Sequence, residues 1–122
     1  LCPAMDLQGA VGKVRALAPT ALLALTCGAE GATLYLGTQA ITQAVIQPEI
    51  FIDTVGAGDT FFANLLVQLL QLHPAGEALS TLDLTHCRSA LQRACLAASL
   101  NIAKAGCEPP DKVSLDQALA QL

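Results

Sequence analysis

The 122-residue chain is 53% hydrophobic and 13% charged, and its 6 basic and 10 acidic residues give a formal net charge of −4. This much apolar content is typical of a folded domain and excludes an intrinsically disordered chain. The few Lys and Arg residues are scattered along the chain, which argues against a nucleic-acid partner. Polar residues or glycines interrupt every apolar stretch well short of the roughly 18 residues that a membrane-spanning helix needs, so a membrane partner is also not expected.

The size and the cysteines limit the class of protein further. At about 150 residues per domain, the chain is one domain or part of one. An odd number of cysteines without a CxxC pair predicts a reduced, cytoplasmic protein in which most thiols are buried, and disfavours zinc. The cysteines are Cys2, Cys27, Cys87, Cys95 and Cys107. The chain opens with neither an initiator Met nor a signal peptide, so we expect it to be a piece of something longer.

In the first half of the chain, residues 7–18 carry apolar side chains at helical spacing and predict a short amphipathic helix. The apolar run at residues 21–26 suits a strand that is buried on both faces. Residues 32–36 and 40–46, with a turn between them, predict a β-hairpin.

After residue 56 the spacing of apolar residues changes to that of a helix. Phe and Leu recur there at steps of three and four, and the predicted helix ends before Pro74. A second long helix is predicted from about Thr85 to Ala105, with Gly106 as its stop. The side chains on its buried face are small, which permits either close helix packing, the commoner case, or the approach of a flat ligand. Ser114 predicts the N-cap of a short terminal helix.

Residues 52–61, Ile-Asp-Thr-Val-Gly-Ala-Gly-Asp-Thr-Phe, combine the end of a strand-like run, a glycine-rich turn and the start of a helix. The first amides of a helix lack internal partners and carry the positive end of its dipole, so the N–H groups of Gly56, Ala57 and Gly58 can bind a phosphate. Asp59, in the first turn, is suited to take a proton from a hydroxyl group. Phosphoryl transfer to an alcohol needs this pair. The alternative is that the glycines only form a turn and Asp59 only favours the helix start.

Residues 53–59 match the signature DTxGAGD, and the chain resembles the ribokinase-like, or PfkB, carbohydrate kinases. The resemblance continues in order from residues 26–31, similar to the family's TxGxxG turn, through the hairpin to residues 105–110, and is closest to bacterial fructokinases. It implies an α/β fold, the ribokinase-like three-layer α/β/α architecture, with a β-hairpin and two long helices. Residues 1–122 would form the C-terminal nucleotide-binding part of one kinase domain, without the N-terminal sugar-binding part and lid.

The resemblance also implies an ATP-dependent sugar kinase with fructose as the favoured substrate. The alternatives are another acceptor of the same family (ribose, a ketodeoxy sugar acid or a nucleoside), a nucleotide-binding fragment without catalysis, or a structural fragment that binds nothing alone. ATP and Mg2+ are the implied cofactors, with K+ in many members. The isolated chain is expected to be inactive and to self-associate or pair with the missing N-terminal portion, because sheet edges and apolar faces would be exposed.

The resemblance assigns a role to each matching residue. Asp59 corresponds to the catalytic base, and the Gly56 to Gly58 turn to the anion hole. The remaining matches are Thr26, Gly28 and Gly31 on the phosphate and ribose side of the nucleotide, Ala94, Cys95 and Ala98 over the adenine ring, and Asp53, Val55 and Gly106 at a monovalent cation. Many relatives carry Asn or His where Cys95 aligns, so a polar contact to adenine is not expected from that position.

Overall fold

A computed structural model describes residues 6–73 and 76–122. Within these ranges the elements, in chain order, are α1 (Leu7–Leu17), β1 (Leu23–Thr26), β2 (Ala32–Leu36), β3 (Gln39–Gln43), α2 (Ala57–Leu72), α3 (Arg88–Ile102) and α4 (Lys112–Ala120). Short 3-10 turns lie at Gly28–Glu30, Leu79–Thr81 and Leu84–Cys87. The positions of Cys2 and Pro74 fall outside the described residues.

The three strands form one antiparallel sheet in the order β1-β2-β3. The predicted hairpin is confirmed, with Leu34 opposite Ile41, although β3 ends at Gln43, before the predicted limit of residue 46. The prediction that the first strand is buried on both faces was wrong, because its residues are half-buried and Thr26 is exposed. Within the described sheet β1 pairs only with β2, so one of its edges carries no neighbouring strand.

The core forms where α2 and α3 pack on the sheet. Its members include Leu34, Phe61, Leu65, Leu91 and Ala94, all less than 5% exposed. The apolar face of α2 is wider than the part that the core covers. A second stripe of apolar side chains along the helix therefore lies in solvent. That stripe is Phe62, Leu66 and Leu70, which are 53%, 43% and 66% exposed.

Helix α1 is confirmed, but its predicted apolar face is largely uncovered. Val11 is the buried residue of α1, whereas Leu7 and Leu17 are 51% and 79% exposed. Arg15 links the helix to the sheet, because its guanidinium lies 5.1 Å from the centre of the Tyr35 ring and donates to the carbonyl of Gly37. No helix in the described part of the chain is long and apolar enough to cross a bilayer.

Three predicted boundaries were wrong. Helix α3 begins at Arg88 after a 3-10 turn and ends at Ile102, three residues before the predicted end. Helix α4 begins at Lys112 with Asp111 as its N-cap, because the charged Asp111 carboxylate accepts a hydrogen bond from the Ser114 N–H at 2.8 Å. Ser114 is therefore inside the helix. The strand-like run predicted to end before Gly56 forms no strand in the described chain.

The expectation that most cysteines are buried holds only in part. The described cysteines are free thiols, with Cys87 and Cys95 buried, Cys27 half-buried and Cys107 exposed.

Candidate active site

The glycine-rich turn that the sequence predicts to bind an anion lies at the start of α2. Gly56 caps the helix in the left-handed conformation, with φ 80 and ψ 0, which glycine adopts without steric cost. The Ala57 N–H donates to the Thr54 carbonyl at 3.2 Å and so closes the turn, rather than pointing outward. The Gly58 and Asp59 N–H groups have no acceptor among the described residues. These two amides stand at the positive end of a 16-residue helix, where an anion is favoured.

Asp59 occupies the third position of α2, and it is exposed. Its carboxylate has no ion-pair partner among the described side chains, and Asp59 is not among the residues that line the cleft beside the turn.

Asp53 ties the turn to the loop that follows α3. Its Oδ1 accepts a hydrogen bond from the Val55 N–H at 3.1 Å, and its Oδ2 accepts one from the Gly106 N–H at 3.0 Å. These two bonds, the one from Val55 first, lower the pKa of Asp53, because they stabilise the ionised carboxylate. Asp53, Val55 and Gly106, predicted together as a cation site, are therefore adjacent in space.

Asn101 is a residue of this region to which the sequence analysis gave no role. Its side chain is fully buried, and its Nδ2 donates to the Val55 carbonyl at 2.8 Å. Its Oδ1 is buried without a partner in the described chain. An amide side chain between Leu100 and Ile102 was the available signal, but its partner lies 46 residues away in the sequence.

A cleft of about 330 Å³ opens beside this glycine-rich turn. This volume lies at the lower end of the range for small-molecule sites, roughly 300–1,000 Å³. Its walls bring together seven of the predicted residues, namely Thr26, Gly28, Gly31, Ala57, Gly58, Cys95 and Ala98. The sequence analysis missed further lining residues that carry no recognisable pattern, among them Val45, Gln47, Pro48 and Phe51.

Ala94 differs from its predicted neighbours on α3. It is fully buried in the core and is not among the residues that line the cleft. Ala94 lies one helical turn before Ala98, inside the core cluster, so of these three predicted residues only Cys95 and Ala98 reach the cleft.

Close packing requires glycine at one lining position, Gly31, and burial sets the charge of another lining residue, Cys95. Gly31 has φ 98, and a Cβ there would overlap the Gln43 carbonyl, so only glycine lets residues 28–31 approach the end of β3 this closely. Cys95 is 7% exposed, and burial raises the pKa of its thiol to about 11. The Cys95 thiol is therefore neutral at physiological pH and offers the cleft a weakly polar surface.

A model of the family described as pfkB family carbohydrate kinase matches residues 5–113. The chain belongs to the pfkB family. Among curated proteins none matches it significantly. The ribokinase of Giardia lamblia is similar to this pfkB-family chain, with 25% sequence identity and a TM-score of 0.80 over 99% of this chain and 38% of the ribokinase.

Two further kinase structures share the fold. The Arabidopsis thaliana ribokinase complexed with ribose and ATP is 25% identical, with a TM-score of 0.73 over 96% of this chain and 35% of the ribokinase. A putative ribokinase II from E. coli, in complex with ATP and Mg2+, is 18% identical, with a TM-score of 0.76 over 100% of this chain and 36% of the kinase. The predicted ribokinase-like α/β fold is confirmed. This pfkB-family chain spans a little over a third of the length of these kinases.

Proposed function

We propose that this chain forms the nucleotide-binding and phosphoryl-transfer part of an ATP-dependent sugar kinase, with fructose as the favoured acceptor. One observation carries the proposal: Gly58, whose amide is free in the described chain, lines a cleft that residues of the 26–31 turn and of α3 also line, and the exposed Asp59 follows Gly58 in the first turn of α2. The ATP-bound Arabidopsis relative supports ATP as the ligand of the cleft.

The reaction assigns separate tasks to the turn and to the carboxylate. The N–H groups of Gly58 and Asp59 hold the transferring phosphate and stabilise its negative charge. The Asp59 carboxylate accepts the proton of the sugar hydroxyl as the hydroxyl oxygen bonds to the γ-phosphorus. The bond between that phosphorus and the bridging oxygen breaks at the same time, and ADP leaves with the electron pair.

The residues present fit the expected cofactors in different ways. No group of three or more His, Cys, Asp and Glu side chains in the described residues is arranged to hold a metal ion. Mg2+ would therefore enter bound to the phosphates of ATP, as this ion usually does. The E. coli kinase, which shares the fold of this chain, was solved in complex with both ATP and Mg2+, and this supports the binding of Mg2+ together with ATP.

A monovalent cation such as K+ fits the oxygen atoms beside the turn. The Asp53 carboxylate and the Val55 carbonyl would hold it next to Gly106, and the unpartnered Asn101 Oδ1 adds a further oxygen nearby. Oxygen donors are those that hard cations prefer. The cation would supply fixed positive charge beside the phosphates.

We further propose that residues 1–122 are the C-terminal part of one kinase domain in a cytoplasmic protein, and that the sugar pocket and lid belong to an N-terminal portion. The unpaired edge of β1 and the exposed stripe on α2 support a partner of this kind or self-association. The chain alone would then be inactive, because the acceptor site is incomplete.

The acceptor itself rests on the resemblance of residues 53–61, 100–101 and 105–110 to bacterial fructokinases. Ribose is the second candidate, because it is bound in the Arabidopsis relative. A ketodeoxy sugar acid and a nucleoside remain alternatives within the family.

The test measures ADP release from ATP with each acceptor, using the longest natural polypeptide that contains this sequence. Asp59→Asn is expected to lower fructose-dependent turnover by about 10²–10⁴-fold, because the general base is lost. Glu49→Gln is the matched control, since Glu49 is an exposed carboxylate outside the cleft wall. Unchanged turnover in Asp59→Asn would refute the proposal. Saturable ATP binding without turnover would favour a nucleotide-binding fragment, and no ATP binding would favour a structural one.

A further inference from the structure

Helix α3 carries two buried polar side chains in its last turns, Ser99 and Asn101. The Ser99 hydroxyl donates to the carbonyl of Ile46. The Asn101 amide instead reaches the Val55 carbonyl, one residue before the glycine that caps α2. We propose that Asn101 is a positioning residue, which holds the anion-binding turn in place through Val55. The inference rests on the proposed function of that turn.

Val55 depends on side-chain partners at both of its backbone polar groups. Its N–H donates to Asp53 Oδ1 at 3.1 Å, and its carbonyl accepts from Asn101 Nδ2 at 2.8 Å. Its own side chain is 56% exposed and cannot anchor it by packing. The two hydrogen bonds therefore set the position of the peptide unit from which the turn at Gly56 begins.

The end of α3 contacts the same segment at further points. The Ile102 carbonyl accepts hydrogen bonds from the Ile52 N–H at 2.8 Å and from the Asp53 N–H at 3.1 Å. Together with Asn101, this fixes residues 52–55 on the end of α3. The amides of Gly58 and Asp59 follow directly, and a shift of about 1 Å at a reacting group can cost about a hundredfold in rate.

The Asn101 Oδ1 has no partner in the described chain unless the proposed cation supplies one. A buried polar atom without a partner costs free energy, and such atoms are uncommon in native structures. An apolar side chain of similar shape would avoid that cost, but it would leave the Val55 carbonyl unpaired and the turn without its support. Asn101 therefore supplies the Val55 carbonyl with a hydrogen-bond donor that no apolar side chain could supply.

Asn101→Leu tests the role, with Gln39→Leu as the matched control. Gln39 also carries a side-chain amide that joins distant backbone, because its Nε2 donates to the Leu82 carbonyl and its Oε1 accepts from the Leu84 N–H. It does not line the cleft. Both variants lose long-range amide contacts, but only Asn101→Leu releases the turn.

Two measurements are made on the longest natural polypeptide. Hydrogen exchange at the Ala57 and Thr60 amides, which donate to the Thr54 and Gly56 carbonyls, is expected without nucleotide to rise about tenfold in Asn101→Leu relative to the parent and to Gln39→Leu. The Kd for MgATP is expected to rise about tenfold in the same variant only. If Asn101→Leu does not fold, Asn101→Ser, which keeps a hydroxyl donor, is measured instead and is expected to show the same pattern to a smaller degree.

The two proposals fail in different ways. If the parent does not bind MgATP, the proposed function fails, while the exchange comparison still decides whether Asn101 holds the turn. If the parent binds MgATP, and exchange and Kd in the Asn101 variant equal those of Gln39→Leu, the positioning role is refuted.

Discussion

Gly56 lies directly against Cys107, so closely that a methyl group on Gly56 would overlap the Cys107 sulfur. Gly56 also has φ 80, a conformation that other residues avoid. Two independent constraints therefore require glycine at the start of α2. One comes from the backbone of the turn, and the other comes from the loop that follows α3.

Gly56→Ala should separate these two constraints. The left-handed backbone is expected to cost about 1–2 kcal/mol in the free energy of unfolding, and the overlap with Cys107 about 1–3 kcal/mol more. In a Cys107→Gly background only the first cost should remain. Urea unfolding of the parent, both single variants and the double variant measures the difference. Equal effects of Gly56→Ala in both backgrounds would contradict the steric contact.

Gly31→Ala should be more damaging, because the neighbour it would meet is backbone. A Cβ on Gly31 would overlap the Gln43 carbonyl and crowd the Val45 nitrogen. We expect a loss of about 3 kcal/mol or more in the free energy of unfolding, since neither group can move away as a flexible side chain can. Gly12→Ala is the control. Gly12 lies inside α1 with no neighbour near its added methyl group, and alanine there should stabilise by about 0.5–1 kcal/mol.

The described thiols should react with iodoacetamide in an order set by burial. Cys107 is exposed and should be alkylated at least about tenfold faster than the buried thiols of Cys87 and Cys95. Burial raises the pKa of Cys95 to about 11 and also raises the pKa of Cys87, so the reactive thiolate is scarce at mildly alkaline pH. Peptide mass spectrometry reads each site separately.

MgATP should slow the alkylation of Cys95, which lines the cleft, and leave Cys87, which lies in the core, unchanged. Alkylation of Cys95 as fast as that of Cys107 would contradict the burial on which this order rests.

Acid should destabilise the fold partly through the cap of α4. The hydrogen bond from the Ser114 N–H to Asp111 is the largest cause that lowers the pKa of Asp111 from its ordinary value of 3.8. The folded chain therefore releases this proton more readily than the unfolded chain does. The contribution to stability is present above pH 3.8 and is lost as the pH falls through the lower folded pKa.

Asp111→Asn keeps an acceptor for the cap but cannot titrate. Its loss of stability in acid should therefore be smaller than that of the parent, although other carboxylates contribute to both. Urea midpoints across the acid range compare the two chains. Identical acid profiles would show that the Asp111 charge does not stabilise α4.

The exposed stripe on α2 should cause association of the isolated chain. Phe62 and Leu66 are 53% and 43% exposed on one face, so changing both to Gln removes apolar surface without touching the core. Sedimentation velocity should show concentration-dependent association in the parent and less of it in Phe62→Gln/Leu66→Gln. Val113→Gln, at a residue 63% exposed on α4, is the control and should associate like the parent. If the unsubstituted chain stayed monomeric at every concentration, the prediction that this stripe causes association would be wrong.

The sequence by itself determined the order of the elements, the hairpin and the start of α2. These features depend on neighbouring residues. Alternation of apolar and polar residues over a few positions predicts a strand, and apolar residues that recur at steps of three and four predict a helix. Two glycines before Asp59 predict free amides at the start of a helix. The signature at residues 53–59 added the family, which the match over residues 5–113 confirms.

Only the tertiary structure decided which surfaces meet. The hydrophobic period of α2 does not distinguish the buried Leu65 from the exposed Leu66, because coverage depends on what packs against each side. The contact of Asn101 with Val55 joins residues 46 apart, and that of Asp53 with Gly106 joins residues 53 apart. Local propensity carries no information about such pairs. They form because the end of α3 and the turn before α2 are brought together by the packing of the two helices.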